Sequence, residues 1–108
     1  MSDSSPADLA VAFRSFARRL RDSLDGADPE HQAAARALVP NLDAAVGRAA
    51  SALGVGDGGD VGATGNAIAH KISSTAPGQW DDAVLASLRA AALEAGTALR
   101  SITAAAGS

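Results

Sequence analysis

Apolar residues recur every three or four positions along most of the chain, and short breaks rich in Gly, Pro and Asp separate the runs. That period is the mark of amphipathic helices. In the first run Leu9, Phe13, Phe16, Leu20 and Leu24 fall within about one third of a helical wheel, which predicts a half-buried helix over 6–25. Ser5-Pro6-Ala7-Asp8 supplies its start: a cap, a proline at the first helical position and an acid three residues after the cap. Gly26 supplies a stop. Asp28-Pro29-Glu30 repeats the start signal, and Ala35, Leu38, Leu42, Ala45, Ala49 and Leu53 then step by three or four. This is a heptad-like seam narrowed by alanine. Pro40 falls inside it, nearly opposite Leu38 and Leu42 on the wheel. The expectation is one helix over 29–53, kinked at a solvent-facing proline.

Residues 54–65 read GVGDGGDVGATG, six Gly in twelve positions with no clear period, and predict a flexible connector. A short helix is expected over 66–73, with Ile68 and Ile72 on one face and Ala76-Pro77-Gly78 as its break. The last helix is expected over 81–106. Asp81 would cap it, Trp80 and Leu85 occupy the two positions of a hydrophobic staple, and Val84, Leu88, Ala92, Ala95, Leu99 and Ile102 form its stripe up to Gly107. The chain thus reads as all-α, a small helical bundle of three main helices plus one short helix with a Gly-rich connector, in a single domain over 1–108.

Composition changes this picture in one respect. Of the 51 apolar residues, 28 are Ala. Burying a large aliphatic side chain contributes roughly 1.5–3 kcal/mol and alanine much less, so the core is thin for the length. Small domains with thin cores often gain stability by oligomerising. The formal net charge of −3 argues against general nucleic-acid binding. No apolar run is long enough to span a bilayer, and Met1-Ser2-Asp3-Ser4-Ser5-Pro6 lacks the basic and apolar regions of a secretory signal. The expected location is cytoplasmic, or outside the cell by a route without a cleaved signal. There is no Cys, so neither disulfide nor thiolate chemistry enters.

Candidate chemistry is sparse. Gly54-x-Gly56-x-x-Gly59 matches the dinucleotide fingerprint as a string, but a helix precedes it where the mechanism needs a strand. The loop has no Lys for a phosphate-binding Walker motif, and Asp57 and Asp60 are too few for a calcium loop. His31 and His70 lack the companions a metal site would need. No cofactor, metal or catalytic residue is therefore expected, and the reading is non-enzymatic. His70 has one sharper reading. The string Ala69-His70-Lys71-Ile72-Ser73-Ser74 is similar to the core of histidine phosphotransfer domains, which are helical bundles of about this size; Ser73 and Ser74 stand where that family has a Lys and a Gly. This makes His70 the alternative phosphoacceptor. Arg14, Arg18, Arg19 and Arg21 crowd the first helix off its apolar stripe, and an adaptor for an anionic membrane surface or an acidic partner is a further alternative.

From about residue 30 to residue 105 the chain resembles the small Trp-x-Gly, early-secretory-antigen-like substrates of bacterial type VII secretion. The Leu38–Leu53 seam, the Gly54–Gly65 connector, Ile68 and Ile72 on a resumed helix and the long Val84–Ile102 helix carry the likeness. The Trp-x-Gly motif itself is absent, since residues 54–65 hold no Trp and Trp80 is followed by Asp81-Asp82; the chain also has no Tyr for the family's export signal. The resemblance implies a helical hairpin, pairing into homo- or hetero-oligomers, export and protein partners. The expected function is a helical protein–protein interaction module, secretion-associated in its most specific form. Its candidate interface is Leu38, Leu42, Leu53, Ile68, Ile72, Trp80, Leu88 and Leu99, and its partner is a protein or a second copy, with no nucleic acid.

Overall fold

The structure is a computed structural model, described for residues 6–56 and 60–107. Every regular element is helical: α1 (Pro6–Asp25), α2 (Pro29–Arg36), α3 (Val39–Leu53), α4 (Val61–Ser74) and α5 (Asp82–Gly107), with a single 3-10 turn at Pro77–Gln79. No strand occurs among the described residues. Ser5, read as the cap of the first helix, and Asp57, Gly58 and Gly59 of the glycine-rich stretch lie outside them.

The expected apolar stripe of α1 is its buried face. Leu9, Phe13 and Phe16 are buried, and the Phe13 and Phe16 rings meet edge to face at 5.6 Å. Leu20 and Leu24 pack half-buried against the same core. The second apolar run makes two helices where one kinked helix over 29–53 was expected. Asp28 caps α2, its Oδ1 accepting from the His31 backbone N–H at 2.9 Å, and Pro29 occupies the first turn. The helical ladder stops at Arg36 and resumes at Val39. Pro40 explains the interruption: it has no N–H, and its ring would meet the Arg36 carbonyl four residues back. In the first turn of α3 neither defect matters, because those N–H groups have no helical partner. Ala37 and Leu38 keep right-handed helical angles through the turn, so Ala35 and Leu42 both remain buried.

Gly54 ends α3 in the left-handed region at φ 73°, and Val55 N–H reaches back to the Ala50 carbonyl at 2.9 Å. This is the glycine-dependent close of a Schellman motif. The next difference from the sequence reading is larger. The helix expected over 66–73 begins at Val61, and the last five of the twelve residues of the supposed connector are helical. Asp60 caps it, its Oδ1 accepting from Ala63 N–H at 2.7 Å. Val61, Gly65, Ile68 and Ile72 then fall on one buried face. Asp81 begins α5, its Oδ1 accepting from Ala83 N–H and its carbonyl from Leu85 N–H, and α5 runs to Gly107.

Point contacts fix the directions. Gly65 lies over Phe13 and Gly62 over Ala17, so α4 runs against α1. Arg48 pairs with Glu94, and one groove is lined by Leu38 together with Ser101, so α3 runs against α5. The hydroxyls of Ser23 and Thr103 meet at 2.9 Å, joining the C-terminal ends of α1 and α5. Since these two helices also pack along one another, they run in the same sense. It follows that α3 and α4 are parallel. α2 packs on α5, and the Gln32 side-chain amide donates to the Leu24 carbonyl at 2.8 Å, tying α2 to the end of α1.

One continuous core holds the helices, and its larger fully buried side chains are Phe13, Leu42, Val46, Ile68, Leu88, Leu99 and Ile102. Ala35, Ala45, Ala49, Ala69, Ala91 and Ala95 fill the spaces between them. The radius of gyration is 14.0 Å, against about 13 Å for a compact chain of this length. No described helix is long and apolar enough to cross a membrane.

Candidate interaction surface

The eight residues read from the sequence as an interface divide in two. Leu42, Ile68, Ile72, Leu88 and Leu99 are buried in the chain's own core. They present no surface to a partner in this fold, because the alanine seams close on each other within one chain. Leu38, Leu53 and Trp80 are half-buried and packed on the same core. Trp80 lies just before α5, and both it and Leu85 cover the core there.

Among the described residues two large apolar side chains are instead left outside: Val11 on α1, 66% exposed, and Leu93 on α5, 69% exposed. Leu93 stands beside a shallow groove between α3 and α5. Leu38, Asn41, Ala44 and Arg48 line it from one side, and Glu94, Thr97, Ala98 and Ser101 from the other. The groove exists because α3 and α5 present small residues where they flank each other. Arg48 and Glu94 form an ion pair across it, both side chains at least half exposed. The Thr97 hydroxyl is turned inward onto the Leu93 carbonyl at 3.1 Å, the usual local bond of a mid-helix threonine.

The charges of α1 are placed differently. Arg14, Arg18, Arg19 and Arg21 are all exposed, and none of their side chains is in an ion pair or hydrogen bond among the described residues. Because Leu9, Phe13 and Phe16 are committed to the core, α1 has no free apolar face to lay into a membrane and can offer only its outer ridge.

His31 sits in the first turn of α2, its Nδ1 2.8 Å from Asp28 Oδ1. The same carboxylate accepts the His31 backbone N–H, and that bond, with the imidazole beside it, holds Asp28 below the usual carboxylate range. His70 is exposed on α4, away from the buried Ile68 and Ile72. Ser74 and Thr75 donate to the Lys71 carbonyl and finish α4 just beyond it. Among the described residues no three His, Asp or Glu side chains gather into a metal-binding group. Comparison of the chain with family models, with curated proteins and with solved structures finds no match.

The feature missed from the sequence is the glycine contact on α4. Its signal was present: Val61, Gly65, Ile68 and Ile72 step by four, three and four behind a cap at Asp60. The six glycines hid it, since glycine counts against a helix unless a neighbour needs the space.

Proposed function

We propose that this chain is a non-enzymatic helical interaction module that meets a protein partner over the outer groove between α3 and α5. One observation carries the reading: Leu93 stands 69% exposed beside that groove. A large apolar side chain among small residues suits a partner helix, because Ala44 and Ala98 allow close approach while Leu93 supplies the buried area. The Arg48–Glu94 pair closes one end of the groove and leaves no uncompensated charge there, which lowers the cost of covering it. In this reading α1, α3, α4 and α5 make a four-helix bundle with α2 across one end, and the partner is either a second copy or another chain.

A photo-cross-linking residue at position 93 in the cell of origin tests the proposal. An adduct at twice the chain mass identifies a second copy, and one of another mass identifies a different protein. The same residue at position 66, on the outside of α4, should give no such product. No adduct from position 93 overturns the reading.

Association with type VII secretion is the more specific form of this proposal, and it rests on length, composition and helix content alone. Export without a cleaved signal, seen as the intact chain in culture medium, would support it. A histidine phosphotransfer role is the rival reading, and the exposure of His70 on α4 is what favours it. Incubation with a phosphorylated receiver domain should then leave an acid-labile label on His70, and an unlabelled chain removes this rival.

A further inference from the structure

We infer that a second copy of the chain covers the outer face of α5, the two α5 helices lying antiparallel about a two-fold axis beside Leu93 and Glu94. This pairing rests on the reading of the α3–α5 groove as an interaction surface, and it names the occupant. Ala83, Ala86, Ala90, Leu93 and Thr97 step by three, four, three and four, and Ser101 and Ala104 continue the row. That is the spacing of a coiled-coil seam. All seven are exposed, on the side of α5 away from the buried Leu88, Ala95, Leu99 and Ile102. The helix therefore carries two seams, one buried in its own core and one left outside. Leu93, Thr97 and Ser101 of the outer seam also line the α3–α5 groove.

This face is not built as the solvated face of α1 is. Of the nine exposed residues of α1, seven are charged. Of the thirteen exposed residues of α5, only Asp82, Glu94 and Arg100 are. The middle of the uncharged row is Leu93, 69% exposed. Loss of charge around an apolar anchor is the composition of an interface centre. The Thr97 hydroxyl is already bonded to the Leu93 carbonyl, so it needs no partner outside the helix when the row is covered.

The order of residues selects a second copy. The row is symmetric about the point between Leu93 and Glu94: Ala83 matches Ala104, Ala86 matches Ser101, and Ala90 matches Thr97. Laid antiparallel on itself, it sets small residues against small ones and brings the two Leu93 side chains together at the axis, as an isologous contact requires. The charges agree with this register. Each Glu94 comes to the axis already paired with Arg48, so two arginines and two carboxylates gather there with no net charge. Arg100 falls across from Ser87 of the second copy, whereas a parallel pairing would set Arg100 against Arg100. Alanine buries little area, so the pair should come apart on dilution in the micromolar range.

The test uses the full chain. Sedimentation equilibrium between about 1 and 300 µM should show a reversible monomer–dimer transition. L93S should weaken it by at least about tenfold. V11S, which removes the other large exposed apolar side chain, should stay within about twofold of the wild type. R48E puts four carboxylates at the axis and should abolish the dimer, and R48E/E94R should restore it. Circular dichroism should show all variants folded. The chain has no Cys, so single cysteines read the register. Under mild oxidation A90C mixed with T97C should form the mixed disulfide at least about tenfold faster than N66C mixed with T97C. A monomer throughout the concentration range, equal weakening by V11S, or no preference of A90C for T97C overturns the pairing. A monomer in solution together with an adduct of another mass from position 93 in the cell also overturns it, and leaves the groove to a different chain.

Discussion

A Cβ on Gly65 would lie 2.6 Å from the carbonyl oxygen of Phe13, closer than real carbon atoms approach a backbone oxygen. The atom in the way is main chain, so it cannot swing aside, and α1 and α4 would have to move apart. Gly65→Ala should therefore cost about 1–3 kcal/mol, as overpacking a tight contact does. Urea unfolding checks this. Gly47→Ala is the control: its Cβ meets nothing within 4 Å, and the helical preference of alanine should raise stability by about 0.8 kcal/mol.

Gly54 makes a different demand, since its surroundings are open but its φ of 73° is left-handed. Gly54→Ala should lower stability by about 1–2 kcal/mol through strain alone. Gly54→Asn should recover part of that loss, because asparagine tolerates this region best among residues with a side chain. Thermal melts of the two variants give the comparison.

Asp60 begins a helix within a stretch where a connector was expected. Asp60→Ala removes the acceptor for Ala63 N–H and should cost about 1 kcal/mol. Hydrogen exchange at Val61–Gly65 should speed up, while exchange in α3 stays unchanged.

Asp28 carries a pH signature. Its folded pKa is lowered by the His31 backbone N–H and by the imidazole beside it. A group whose pKa falls on folding stabilises the fold above its unfolded value, and that contribution disappears as pH drops through the folded value. Wild-type stability should therefore fall from about pH 4 downward relative to Asp28→Asn, which keeps an oxygen acceptor without the charge. Denaturant titrations of both proteins below neutral pH measure the difference.

Arg48→Ala tests how little an exposed pair holds. Arg48 and Glu94 are 64% and 50% exposed, so solvent screens their attraction. The loss in stability should stay under about 1 kcal/mol. A larger loss in the melting temperature would mean that α3 and α5 depend on the pair.

The sequence made the helical class plain because Phe13, Phe16, Leu42, Leu88 and Leu99 repeat at helical spacing, and all are buried. The Pro40 break was harder to read. The seam keeps its phase across it, and phase cannot distinguish a bend from two helices joined by Ala37 and Leu38. The start of α4 was hidden because Gly65 serves a contact with Phe13, far away in sequence. The surface was least legible of all. The same periodicity marks a stripe that faces a partner and one that faces the chain's own core, and only the packing of α1 on α4 and α3 on α5 put Ile68 and Leu99 inside. Leu93 was overlooked because it lies off the stripe of α5, which is also why it remains outside.

The parallel course of α3 and α4 bears on how the chain assembles. α1 pairs with α4 and α3 with α5, so each major helix finds its main antiparallel partner across an intervening element. Adjacent helices cannot zip together one hairpin at a time. Neither the half before the connector nor the half after it holds a complete core, and Phe13 has its glycine seat only when residue 65 has been made. Cut between 54 and 60, the two pieces should each be largely unstructured and should fold on mixing, as a split protein reconstituted from its fragments.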